Sequence, residues 1–156
     1  MSTDIRFEDG NLIVTRTYCA PRAAVFEAWV ETSKVQAWWG CDDTTAVRSE
    51  IEPKVGGCYN HHMTIHGSEH PACATFTEFD PPARLAYESP APMGGEGVMR
   101  VSVDFEEVEE GTRVQLIHAG IPDMQIPGDI ELRDIIRTGW TAAFRKLGEF
   151  LAAPAA

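Results

Sequence analysis

Apolar side chains recur at every second position through much of the chain, which is typical of β-strands that bury one face. On this pattern we predict strands at residues 11–19, 45–52, 58–65, 72–79, 84–89, 98–107 and 112–119. Short connections rich in glycine and proline separate the last six, whereas parallel neighbours would need crossovers of about a dozen residues or more. The middle of the chain is therefore predicted to be an antiparallel meander.

Three other segments show helical spacing. Pro21 favours a helix over residues 22–30, and Thr32 or Ser33 can cap a second short helix that ends at Gly40. Residues 129–152 place their apolar positions on one stripe, which predicts an amphipathic helix of about 24 residues. That stripe must be buried against the sheet, and a strongly bent sheet around one helix leaves a cavity between them.

The predicted fold class is α+β. A curved antiparallel sheet of about seven strands wraps a long C-terminal helix, and two short helices follow the first strand. Residues 1–156 are expected to form one domain, with a lead-in at 1–10 and a tail at 153–156. A chain of this length buries roughly 70% of its unfolded surface, which is enough for a single core.

Charge narrows the classes of partner. The chain carries 13 Lys and Arg against 24 Asp and Glu, a net charge of −11, so nucleic acids and anionic membranes are not expected partners. No apolar run approaches the roughly 20 residues of a membrane span, and the first nine residues do not resemble a secretory signal. We therefore expect a cytoplasmic protein whose four irregularly spaced cysteines stay reduced.

Four motifs occur in an order similar to that of a known family. They are Ala20-Pro21-Arg22 with Val25 to Trp29 and Trp38-Trp39-Gly40, then Pro53 to Tyr59 with its Gly-Gly pair, then Phe79 to Leu85, and finally Gly139-Trp140 to Leu147. From Leu12 to about Ala152 the chain resembles the activator of heat-shock-protein-90 ATPase homologue family, within the START-like SRPBCC superfamily. The resemblance implies the helix-grip fold and a shared pocket scaffold, with no shared catalytic motif. The longer co-chaperone that gives the family its name has a separate amino-terminal domain, for which we expect no counterpart in this chain.

Strand parity places aromatic and sulfur-containing side chains on the inner face of the sheet, opposite the apolar stripe of the helix. The predicted ligand contacts are Trp39, Tyr59, His61, Met63, Phe76, Met99, His118, Ile136, Trp140 and Phe144. The alternative is that these are ordinary core residues, as histidines on an apolar face often are. An inward Phe76 would also bring Glu78 inward, and Gly139 is expected to let the helix approach the sheet.

Histidine and cysteine are concentrated between residues 58 and 73, which raises the question of a metal. Cys58 and His62 share a strand face but lie about 13 Å apart, too far to ligate one zinc ion. His66 and His70 flank a turn and could approach each other. The alternative is that they are solvent-exposed turn residues, and we predict no metal and no cofactor.

Three functions compete at this stage. The first is binding of a small hydrophobic or aromatic molecule, lipid-like or polyketide-like, in the cavity. The second is a cyclase or dehydratase, for which His61, Glu78 and His118 are the weak candidates for general acid and base. The third is a co-chaperone-like protein of the stress response whose acidic surface meets a basic partner. A homodimer is left open.

Overall fold

The computed structural model describes residues 3–91 and 97–153, in which eight strands pair into one curved antiparallel sheet. The strands are β1 (Asp4–Glu8), β2 (Asn11–Tyr18), β3 (Thr44–Ile51), β4 (Cys58–Ile65), β5 (Ser68–Asp80), β6 (Arg84–Pro90), β7 (Val98–Val108) and β8 (Gly111–Ala119). Their order across the sheet is β1-β2-β8-β7-β6-β5-β4-β3. The predicted meander is therefore present from β3 to β8, and β2 extends it by pairing with β8.

Three helices cover the inner face of this sheet. They are α1 (Arg22–Val30), α2 (Thr32–Val35) and α3 (Leu132–Ala152). The α3 helix begins later than the predicted residue 129, because a small hairpin of β9 (Gln125–Ile126) and β10 (Ile130–Glu131) precedes it. Within the described residues, no helix combines the length and apolarity needed to cross a membrane.

The ends of the chain differ from the prediction at one point. Residues 4–8 were expected to be part of a lead-in, yet they form β1 and pair with β2 through Ile5↔Val14 and Phe7↔Leu12. Ile5 and Phe7 pack against the core, while Arg6 between them is exposed. The connection between the strands predicted at 84–89 and 98–107 falls partly on residues 92–96, and the predicted tail falls partly on 154–156, and both ranges lie outside the described residues.

An aromatic cluster fills the space between helices and sheet around Trp29. Its ring centroid lies 4.7 Å from that of Trp38, 6.0 Å from Phe105 and 6.1 Å from Trp140. Most of these pairs are edge-to-face, an arrangement that the charge distribution of aromatic rings favours. Trp29 is fully buried, so α1, α3 and the sheet share one core.

Polar groups of buried rings fasten α1 to its surroundings. The Trp38 indole donates to the Ala28 carbonyl at 2.9 Å, and the Tyr59 hydroxyl donates to the Trp29 carbonyl at 2.7 Å. Both acceptors lie in the last turn of α1, where carbonyls have no partner within the helix. Tyr59 belongs to β4, so this contact fixes the distance between α1 and the sheet.

Candidate ligand-binding site

A cavity of about 290 Å³ lies between α3 and the sheet. Its walls come from α3, from β4, β5 and β8, and from the segment that follows α2. The lining residues are almost all apolar: Trp39, Gly40, Cys41, Met63, Ile65, Ala72, His118, Ile135, Ile136, Gly139, Trp140 and Ala143. None of these residues carries a formal charge at neutral pH, because burial keeps the one histidine neutral.

On the helix side, the cavity is lined by one face of α3, and Gly139 on that face has no side chain. Ile136, Gly139, Trp140 and Ala143 follow the i, i+3, i+4, i+7 spacing that puts side chains on one helix face. Apart from its chain neighbours and the backbone of its own helix, a methyl group built on Gly139 would meet no atom of the described residues within 4 Å. The expectation that this glycine lets the helix approach the sheet is therefore wrong, because the missing side chain leaves open space instead.

We expect Gly139→Ala to stabilise the protein by about 1 kcal/mol, since alanine is that much better than glycine inside a helix. The new methyl group enters open space and displaces nothing. Gly148→Ala in the same helix is the matched comparison, because its Cβ would lie 2.8 Å from Arg16 Nη2 and the arginine would have to move. Urea unfolding followed by circular dichroism measures both. A Gly139→Ala protein no more stable than the parent would show that this space is not open.

Half of the residues predicted to contact a ligand line the cavity, namely Trp39, Met63, His118, Ile136 and Trp140. The others lie elsewhere. Tyr59, His61, Phe76 and Phe144 are at most 1% exposed and belong to the core behind the wall, and Met99 is half-buried on β7.

Several lining residues were missed by the sequence prediction. Ile65 has the same strand parity as Met63, and Ala143 lies one turn beyond Gly139, so periodicity could have identified both. Gly40 and Cys41 lie in an irregular segment, where no periodic signal exists.

His118 is the polar side chain of the cavity wall. Its Nδ1 accepts a hydrogen bond from the Trp140 indole N–H at 3.0 Å. Its Nε2 is buried and has no hydrogen-bond partner among the residues that the structure describes. Burial lowers the pKa of His118 to about 4, so the ring is neutral at neutral pH.

His61 lies one layer deeper. Its ring stacks on Trp39 with centroids 3.8 Å apart, and its Nδ1 shares a 2.8 Å hydrogen bond with the Ser49 hydroxyl on β3. Burial, with a smaller contribution from His62, lowers the pKa of His61 to about 3. His61 thus supports the Trp39 side of the cavity from behind.

Glu78 does not share the inner face with Phe76. A bulge between Phe76 and Glu78 shifts the register of β5 against β6, so that Phe76 and Phe79 both face the core. Glu78 instead accepts hydrogen bonds from Arg84 and Arg100 on the outer face, and the Arg84 guanidinium lowers its pKa. The expected trio of His61, Glu78 and His118 is therefore not assembled, and only His118 reaches the cavity.

Two basic side chains of α3 hold the segment that forms the cavity edge. Lys146 Nζ donates to the carbonyls of Trp39 at 3.3 Å and Cys41 at 3.2 Å, and Arg145 pairs with Asp42. Burial lowers the pKa of Lys146. These contacts fix the Trp39–Cys41 segment against the helix and so set the width of the cavity.

The histidines near the β4–β5 turn lie apart from this cavity. His62 contacts Glu50 and Glu69, and exposed His66 lies 3.7 Å from Asp43. Across residues 3–91 and 97–153, no group of three or more His, Cys, Asp or Glu side chains could hold a metal ion.

The architecture matches a known family. The family model described as "Activator of Hsp90 ATPase homolog 1-like protein" matches residues 19–152, most of the chain. The chain belongs to this family. The match covers α1, the meander and α3, and therefore every element that lines the cavity.

Solved structures of similar proteins show the same fold. A protein from Rhodobacter sphaeroides has a TM-score of 0.79 at 22% identity, covering 99% of this chain and 100% of that one. An AHSA1 protein from Silicibacter pomeroyi has a TM-score of 0.69 at 20% identity, covering 91% and 97%. CalU16 from Micromonospora echinospora has a TM-score of 0.62 at 19% identity, covering 97% and 84%. No curated protein matches the sequence.

Proposed function

We propose that this protein binds a small, uncharged, apolar molecule in the cavity between α3 and the sheet. The observation that carries the proposal is the wall itself, whose aromatic, aliphatic and sulfur-containing side chains line about 290 Å³ of space. Ligand sites are typically concave, mainly apolar and furnished with a few polar groups. Here the polar group of the wall is His118.

The size of the cavity limits the ligand. Typical ligand pockets enclose about 300–1,000 Å³, and this one, at about 290 Å³, lies just below the lower limit of that range. One or two fused rings, or a short acyl chain, suit this space better than a full-length lipid. Trp39 and Trp140 supply ring faces and edges on which an aromatic ligand can pack.

Charge limits the ligand further. Among the residues that the structure describes, no Lys or Arg side chain lines the cavity, and the pKa of His118 is too low for a cationic ring at neutral pH. A carboxylate would therefore find no counter-charge in the wall, because the Lys146 ammonium at the cavity edge is bonded to the Trp39 and Cys41 carbonyls, and its desolvation cost would be large.

Fluorescence titration with 5-bromoindane tests the proposal. Two of the four tryptophans, Trp39 and Trp140, line the cavity, and bromine quenches indole emission at short range. We expect saturable quenching together with an increase in melting temperature that grows with probe concentration, since a ligand of the native state stabilises it. Unchanged melting temperature and non-saturable quenching would contradict the proposal.

Indane and indane-2-carboxylate form a matched pair for the charge argument. Each is added as a competitor of 5-bromoindane at neutral pH, and we expect indane to displace the probe at least about tenfold more strongly. Equal displacement by the carboxylate would mean that a cation faces the ligand, contrary to the uncharged wall.

A further inference from the structure

His118 is the side chain in the apolar cavity wall whose hydrogen bonding can discriminate between ligands. Trp140 Nε1 carries a hydrogen and can only donate, so the hydrogen bond between the two rings makes His118 Nδ1 the acceptor. In a neutral imidazole, one ring nitrogen carries a hydrogen and donates, and the other accepts. The hydrogen of His118 therefore resides on Nε2, and the tautomer is set by Trp140.

This leaves Nε2–H as a buried donor without a partner. His118 is 6% exposed, and its Nε2 has no hydrogen-bond partner among the described residues. An unpaired buried donor is unfavourable, and an acceptor supplied by a ligand relieves that cost. Because Nε2 is itself buried, a ligand acceptor reaches it only if side chains of the cavity wall move.

We propose that the cavity selects apolar molecules that carry a hydrogen-bond acceptor such as a carbonyl oxygen, with His118 Nε2–H as the group that recognises it. This inference rests on the proposed function and names the ligand class for the same site. His118 is then a specificity-determining residue, and Trp140 is the positioning residue that fixes its tautomer.

The buried His61 offers a natural comparison. It too is neutral, and its Nε2 has no hydrogen-bond partner in the described part of the chain, but it lies behind Trp39 and does not line the cavity. If a buried neutral histidine near the cavity were enough to create the preference for an acceptor, substitution of either His61 or His118 would change that preference. If the histidine must line the cavity, only substitution of His118 changes the preference.

The test compares 1-indanone with indane, which differ by a carbonyl in place of a methylene. Each displaces 5-bromoindane from the wild-type protein, from His118→Phe and from His61→Phe. We expect the ratio of indane to 1-indanone dissociation constants to fall by about tenfold in His118→Phe, because the carbonyl then enters without a partner. In His61→Phe the ratio is expected to stay within about twofold of wild type.

The outcomes separate the two proposals. If neither indane nor 1-indanone binds the wild-type protein, the proposed function fails. If both bind and His118→Phe leaves their ratio unchanged, the acceptor preference is overturned while the cavity as a ligand site stands. A ratio that changes in His61→Phe and not in His118→Phe would also overturn it.

A second measurement does not depend on the variants folding. Two-bond ¹H–¹⁵N correlation NMR of the wild-type protein distinguishes the two neutral tautomers of each histidine ring. We expect the His118 signals to show hydrogen on Nε2, and the Nε2 resonance to move when 1-indanone is added but less when indane is added. Hydrogen on Nδ1, or equal shifts with the two probes, would overturn the assignment.

Discussion

Gly139→Leu is expected to weaken binding of 5-bromoindane by about a hundredfold, while the protein remains folded. The leucine side chain enters the open space beside Gly139 and occupies the volume in which a ligand would lie. Forcing further atoms into a filled interior costs on the order of 1–3 kcal/mol, and about 1.4 kcal/mol corresponds to tenfold in affinity. Quenching titrations measure the loss.

Thr138→Leu is the control for this variant. It adds the same side chain one residue earlier, at an exposed position that does not line the cavity. We expect wild-type affinity in Thr138→Leu. Undiminished binding by Gly139→Leu would place the ligand outside this cavity, and equal loss in both variants would point to a general effect on α3.

Mild acid is expected to destabilise the protein through its two buried histidines. The ordinary pKa of 6.5 applies to both in the unfolded chain, whereas burial lowers the folded values to about 3 for His61 and about 4 for His118. Between pH 6.5 and 4 the unfolded state therefore binds protons that the folded state does not. Stability is complete above pH 6.5 and falls as pH decreases through this window, by about 1 kcal/mol per pH unit for each histidine.

Urea unfolding from pH 7.5 to 5.0 measures this dependence above the range in which most carboxylates titrate. Below pH 6.5, we expect the slope of the free energy of unfolding against pH to fall by about half in His118→Phe or in His61→Phe. In the double variant we expect this slope to nearly vanish. A wild-type stability that stays constant from pH 6.5 to 5.0 would contradict the burial of two neutral histidines.

Much of the fold follows from periodicity in the sequence. The bounds predicted for α1 and β4 coincide with those observed, because Pro21 marks a helix start and the alternation in β4 is regular. The α3 stripe was also predicted, although the β9–β10 hairpin at its start was not. Two-residue strands offer too few positions for a period to be recognised.

The prediction of the site fails where a regular period is interrupted. Strand parity put Glu78 on the same face as Phe76, and the bulge in β5 separates the two. Parity also cannot separate core from cavity wall, so Tyr59 and Phe76 were grouped with Met63 although only Met63 reaches the cavity. That distinction depends on where α3 leaves space, and at Gly139 the space is set by three-dimensional packing.

The segment from Trp39 to Cys41 illustrates a second limit. Its position depends on Lys146, which is more than a hundred residues away in sequence and donates to two of its carbonyls. No local pattern encodes such a contact. The two tryptophans that line the cavity, Trp39 and Trp140, are brought together only by this tertiary arrangement.

Anomalous diffraction from crystals soaked with 5-bromoindane locates a bound apolar molecule directly. The binding proposal predicts a bromine peak inside the cavity, in contact with Trp140 and beside Gly139, and no such peak in Gly139→Leu crystals. A cavity without bromine at concentrations that saturate the fluorescence signal, or with bromine bound only at the outer surface, would contradict it.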